Sequence, residues 1–197
     1  MSLDKKERDD LLRLARAEIA RVLGADERGP GEKGSGAFFA AADEKGTRPL
    51  FPEAGTRPGG AFVSIHIGDH LRGCVGYPES DLPLTEVIQR CAVSAATSDT
   101  RFPALNPSEL PLVSIEISVL GPIEPVADIS EIEVGRHGLI AQLGHRRGLL
   151  LPQVATEWSL GPEEFAGHTC RKAGLLFDAW RTGAQLFKFE AEVFGDP

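Results

Sequence analysis

Residues 61–77 read AFVSIHIGDHLRGCVGY, and their pattern decides the fold class. Val63, Ile65 and Ile67 alternate with Phe62, Ser64 and His66, the period of two that belongs to a strand with one buried face. Gly68, Asp69 and His70 supply a turn, and an extended pattern resumes from Leu71 to Tyr77, so the stretch is expected to form an antiparallel hairpin. Downstream, Pro78 to Pro83 is a turn. Leu84, Val87, Ile88, Cys91, Ala92, Ala95 and Ala96 then recur at the spacing of an amphipathic helix. Asp99 to Leu110 carries the turn formers Pro103, Asn106 and Pro107 before Val113, Ile115, Ile117 and Val119 alternate with polar residues as a second half-buried strand.

Farther out, Glu131 to Gly135 reads as a short helix or turn. Leu139 to Leu143 and Leu149 to Leu151 read as short strands around the turn Gly144 to Gly148. Gly161 and Pro162 begin a helix whose first turn holds Glu163 and Glu164, and Arg171, Lys172 and Gly174 close it. Ala184 to Phe194 alternates as a last strand. On the amino-terminal side, Asp4 and Glu7 have the spacing of a capping box, and Leu11, Leu12, Ala15, Ile19, Val22 and Leu23 form an apolar stripe that ends at Gly24. Between this helix and the hairpin, residues 29–60 are rich in glycine and proline, yet Phe38, Phe39, Leu50 and Phe51 are apolar anchors that a free linker does not need. Strands without a regular βαβ repeat, interspersed with helices, make the class α+β: a mostly antiparallel sheet flanked by helices.

Composition narrows the function. The chain has 197 residues, 42% hydrophobic and 25% charged, which is enough to bury a core without disulfides or a structural metal. A formal net charge of −8 argues against nucleic acid as the main partner, although a local basic patch remains compatible with it. The amino terminus, MSLDKKERDD, lacks a secretory pattern, no run is long and apolar enough to span a membrane, and a cytoplasmic location is expected. Cys74, Cys91 and Cys170 are an odd number at wide spacings, suited to reduced thiols. His66, His70, His137, His145 and His168 form no recognisable ligand set, so no metal site is expected and no cofactor is identified. Ser64 lacks the GxSxG elbow of serine hydrolases, and no GxGxxG phosphate loop occurs.

The chemistry centres on LRGCVG, residues 71–76. In a regular strand Arg72, Cys74 and Gly76 share one face, and a guanidinium beside a thiol favours the reactive thiolate. Gly73 and Gly76 suit a floor that a ligand or another backbone approaches closely. Set against this, a free cysteine is usually a small buried apolar group. Cys91, on an apolar helix stripe, is expected in the core, and burial is also expected for Cys170. His66 is a candidate general base near the hairpin. Asp99, Arg101 and Phe102, following a small-residue helix, form a loop suited either to line a cleft or to fasten itself by an acid–base pair.

LRGCVG at 71–76, SAATSDTRFPAL at 94–105, VSIEISVLGPIEPV at 113–126, GLLLPQVATE at 148–157 and CRKAGL at 170–175 resemble the AMMECR domain family, whose bacterial and archaeal members are the A component of AmmeMemoRadiSam systems. The resemblance spans nearly all of the chain as a single domain, residues 1–197. It implies an α+β fold in two lobes, with the signature strand lining a cleft between them. The family pattern falls on Arg72, Gly73, Cys74 and Gly76, on Asp99, Arg101 and Phe102, and on Pro152, Cys170, Lys172 and Ala173. It departs at Thr100, where the family often has proline, and in the length of the 29–60 segment. The resemblance implies two partners, a Memo-like protein and a radical SAM protein, but no established reaction. Three functions follow as expectations. One is a cysteine-dependent enzyme acting on a small-molecule substrate, with Cys74, Arg72 and Asp99 catalytic and Gly73, Gly76, His66, Arg101 and Phe102 lining the site. The second is a non-catalytic module that binds those partners. The third is a purely architectural signature.

Overall fold

The structure is a computed structural model that describes residues 3–24 and 59–196; the glycine- and proline-rich excursion expected over 29–60 lies outside the described residues, except for Gly59 and Gly60. The regular elements are α1 (Lys5–Val22), β1 (Ala61–Ile67), β2 (His70–Tyr77), α2 (Leu84–Thr97), β3 (Val113–Leu120), β4 (Glu124–Pro125), β5 (His137–Leu143), β6 (Arg146–Leu150), α3 (Pro152–Glu157), α4 (Pro162–Lys172) and β7 (Gln185–Gly195). The paired strands are antiparallel, as the α+β reading requires. The chain divides into two compact units, Met1–Val119 with Glu192–Pro197, and Leu120–Ala191.

In the first unit β1 lies between β2 and β3, and the end of β7 lies beside β3. Val63, Ile65, Ile115 and Ile117 fill the inner sheet face, where Leu84, Val87, Ile88, Cys91 and Ala95 of α2 meet them. Burying each of the larger aliphatic side chains contributes about 1.5–3 kcal/mol. The capping box of α1 is formed: the Glu7 N–H donates to Asp4 at 2.8 Å and the Asp4 N–H donates to Glu7 at 2.8 Å. Leu11, Ala15 and Ile19 carry that helix into the same core.

In the second unit β5 pairs with β6 and β7, and β4 pairs with β7. Phe165, Ala166 and Cys170 of α4 share a core with Leu139, Ala141 and Leu186. The turn expected at Gly144 to Gly148 is shorter than the sequence suggested. Gly144 at φ 59 turns the chain, and Arg146, Arg147 and Gly148 already pair with Leu143, Gln142 and Ala141. Two residues suffice because the glycine adopts the positive φ that tight hairpins require. The sequence reading placed no helix at Pro152–Glu157, since six residues are too few to show a period. No helix among the described residues is long and apolar enough to cross a membrane.

Candidate functional site around the edge strand

The residues singled out by the sequence gather around β2, at the end of the strand order. An edge strand presents main-chain donors and acceptors that need partners. At Cys74 the partners are side chains: its N–H donates to Asp99 Oδ2 at 2.9 Å, and its carbonyl accepts from Arg101 Nη2 at 3.0 Å. Arg101 in turn holds the same carboxylate, with Nε on Oδ1 at 3.0 Å and Nη2 on Oδ2 at 2.7 Å. The acid and base thus do for one residue of β2 what a neighbouring strand would do. The Arg101 guanidinium, and then the Cys74 N–H, hold the Asp99 carboxyl well below the usual carboxylate range, against the opposing effect of burial. Through these bonds Asp99 braces the strand.

At Arg72 the structure corrects the expected geometry. The expected strict alternation along residues 71–77 fails there, because the register passes from Ile65 opposite Gly73 to His66 opposite Leu71 and leaves Arg72 as the extra residue of a bulge. A bulge re-aims its side chain. The Arg72 guanidinium grips Glu109, with Nε on Oε1 at 2.9 Å and Nη2 on Oε2 at 3.1 Å, and it also donates to the carbonyls of Pro103 at 2.6 Å and Ala104 at 3.3 Å. Glu109 accepts the Asn106 N–H at 2.7 Å as well, and the Arg72 contact leads in lowering its carboxyl below its ordinary value. Arg72 is thus a clamp on the segment that follows α2. The cation beside the thiol is Arg101, whose side chain is more than half exposed and is raised above its ordinary value by Asp99 first, with the Cys74 thiol a smaller contributor.

The two glycines proposed as a floor are filled from within the fold. A Cβ on Gly73 would lie 2.1 Å from the Ala95 carbonyl oxygen of α2, and one on Gly76 would lie 2.1 Å from the Phe62 ring. Cys74 lies on the sheet face opposite to Gly73, half-buried, with Ser64 Oγ 3.3 Å from its sulfur. Ser64 is opposite both Cys74 and Glu116 in the register, so the three form a row across β2, β1 and β3. His66 follows Ser64 on that face of β1 and is half-buried, and Phe102 lies against the Arg101 guanidinium at 5.5 Å. Sequence reading missed Glu109, Ser64 as the partner of the sulfur, and Glu116. Glu109 had a visible signal, since its spacing from Asn106 is that of a capping box, but strand register, which brings Ser64 and Glu116 into one row, is not written in local sequence.

Cys91 is sealed in the core with its sulfur 3.7 Å from the Ala61 carbonyl, and burial pushes its thiol up to about 12. Cys170 is also fully buried and its thiol is likewise raised by burial. Among the described residues no group of three or more His, Cys, Asp or Glu side chains is placed to hold a metal ion.

The family model described as AMMECR1 matches residues 12–194. The chain belongs to the AMMECR1 family. It is 46% identical over 140 residues to a protein of Methanosarcina barkeri, covering 68% of this chain and 69% of that one. It is 50% identical over 131 residues to a protein of Thermofilum pendens, covering 63% of this chain and 62% of that one. Among solved structures, the crystal structure of an uncharacterized protein from Pyrococcus horikoshii superposes with a TM-score of 0.80 at 33% identity, over 98% of this chain and 93% of that chain.

Proposed function

We propose that this AMMECR1-family chain is a cysteine-dependent enzyme acting on a small molecule, with Cys74 as nucleophile or transient thiol carrier. One observation carries the reading. Arg72, Gly73 and Gly76 of the signature are each engaged in holding the fold, whereas the Cys74 side chain is left half-buried on the outer sheet face, beside Ser64 and within reach of Arg101. The sulfur is thereby left reachable by a substrate, with a cation at hand. In the step envisaged, the thiol proton passes to His66 or to water, and the sulfur adds to a carbonyl carbon of the substrate as the C=O π pair moves onto the oxygen, which takes up a proton from the same base or from water. His66 follows Ser64, the partner of Cys74, on the same face of β1. The small molecule and the implied Memo-like and radical SAM partners belong to this proposal.

The test is alkylation of the native chain with iodoacetamide, read cysteine by cysteine by mass spectrometry across neutral pH. Cys74 is expected to react at least about tenfold faster than Cys91 or Cys170, and Arg101→Ala to slow Cys74 alone. Equal, slow labelling of all three thiols overturns the proposal. So does a Cys74→Ser variant that keeps full biological activity, which is the behaviour of a non-catalytic module that only docks those partners.

A further inference from the structure

An exposed aromatic surface lies in the second unit, at the carboxyl end of α4. Trp158 is 56% exposed, Leu176 78% and Phe177 36%. Trp158 and Phe177 are joined through the His168 ring, which stands edge-on to Trp158 at 5.3 Å between centroids and edge-on to Phe177 at 5.5 Å, and Leu176 precedes Phe177 in the chain. The Arg171 guanidinium lies 5.0 Å over the Phe177 ring, and Arg146 reaches the same corner by donating to the Gly174 carbonyl at 3.2 Å. Gly167 is what lets Phe177 lie against the helix, since a Cβ there would come within 2.3 Å of the ring.

The ordinary explanation for a basic residue in the last turn of a helix is compensation of the helix dipole. That explains the sign of Arg171 but not its placement over an exposed aromatic ring. Nor does it account for exposed Trp158 and Phe177 joined through one ring, with exposed Leu176 next in the chain, since grouped apolar residues mark an interaction site more often than singly exposed ones do. The charge is local as well. Residues 171–178, RKAGLLFD, hold two cations and one acid in a chain of net charge −8, and of the two acids opening α4, Glu163 is paired with Arg181 and Glu164 accepts the Gly161 N–H.

We propose that this aromatic and cationic corner docks a short acidic peptide segment of a partner protein, its carboxylates meeting Arg171 and Arg146 and its apolar side chains covering Leu176, Phe177 and Trp158. Charge complementarity selects the acidic partner. An exposed leucine beside two aromatic residues selects a peptide over a nucleic acid, whose backbone supplies no aliphatic group and which the net charge of the chain repels.

Trp158 is a built-in reporter. The full chain is titrated with a synthetic peptide alternating Glu with Leu and Phe, with its Lys counterpart, and with a single-stranded oligothymidylate, following tryptophan fluorescence and using Trp158→Phe to identify the Trp180 background. A saturable change with the acidic peptide alone is expected, at a Kd below about 1 mM, weakened at least about tenfold by Arg171→Glu and by Leu176→Asp, both at exposed positions whose folding is checked by circular dichroism. No change with the acidic peptide overturns the proposal, as does unaltered binding by either variant. Stronger binding of the oligonucleotide replaces it with nucleic-acid recognition, and concentration-dependent dimers that Leu176→Asp dissolves replace it with self-association.

Discussion

Arg72 and Arg101 in the first unit and Arg171 in the second are placed differently. In the first, Arg72 and Arg101 turn toward the main chain, each donating to a carboxylate and to at least one carbonyl, so that cations hold an edge strand and the loop beside it. In the second, Arg171 lies over an aromatic ring at the surface, beside side chains that the fold leaves in solvent. A guanidinium bonded on several sides is a structural part, and its loss is felt in stability. One stacked at the surface is available to a partner, and its loss is felt in binding.

That contrast is sharpened first by glycines that play the same part in both units. A Cβ on Gly148 would lie 2.2 Å from the Ala173 nitrogen, the counterpart of Gly73 against Ala95 at 2.1 Å. Gly73→Ala and Gly148→Ala should each cost about 3 kcal/mol in urea denaturation, because helix backbone cannot step aside. Gly76→Ala, which meets the movable ring of Phe62, should cost about 1 kcal/mol. Equal costs at 73 and 76 would show that α2 yields as easily as a side chain.

The next effect is smaller. Arg72→Ala removes the partner of a half-buried Glu109 and leaves two carbonyls without their donor, and it should cost about 2 kcal/mol, with Arg72→Lys recovering only part because an ammonium does not reproduce the bidentate fork. Arg171→Ala should change stability by no more than about 0.5 kcal/mol. Comparable losses at both positions would erase the distinction between the two units.

The smallest effect is in pH. Asp99 and Glu109 have lowered values in the folded chain, so their contribution is fully present above the unfolded carboxylate values of about 3.9–4.3 and fades as pH falls below them. The urea midpoint of the wild type should drop through that acid range, and Asp99→Asn should show a shallower drop. A variant with the same slope as the wild type would mean that other carboxylates govern acid unfolding.

Much of the fold was legible in the sequence because its signals are local. The α2 stripe from Leu84 to Ala96 is buried throughout, and the β1 alternation puts Val63 and Ile65 inside. The candidate site was legible as a set of names but not as a set of roles. Arg72, Cys74, Asp99 and Arg101 do meet at β2, yet Arg72 belongs with Glu109 and Arg101 with Cys74. A bulge of one residue made the difference. Parity along a strand is readable only while the ladder is regular, and the irregularity at Arg72 appears only once β1 is paired opposite.

By itself, then, the sequence determined the hairpin, the amphipathic helices, the α+β class and the burial of Cys91 and Cys170, since each follows from periodicity over neighbouring residues. Tertiary structure alone decided which guanidinium stands by the sulfur, that Asp99 braces β2, and that Ser64 and Glu116 share a row with Cys74. Those pairings join residues ten or more positions apart, and their partners are set by strand register and by how closely a helix can approach a glycine, neither of which any single stretch of chain encodes.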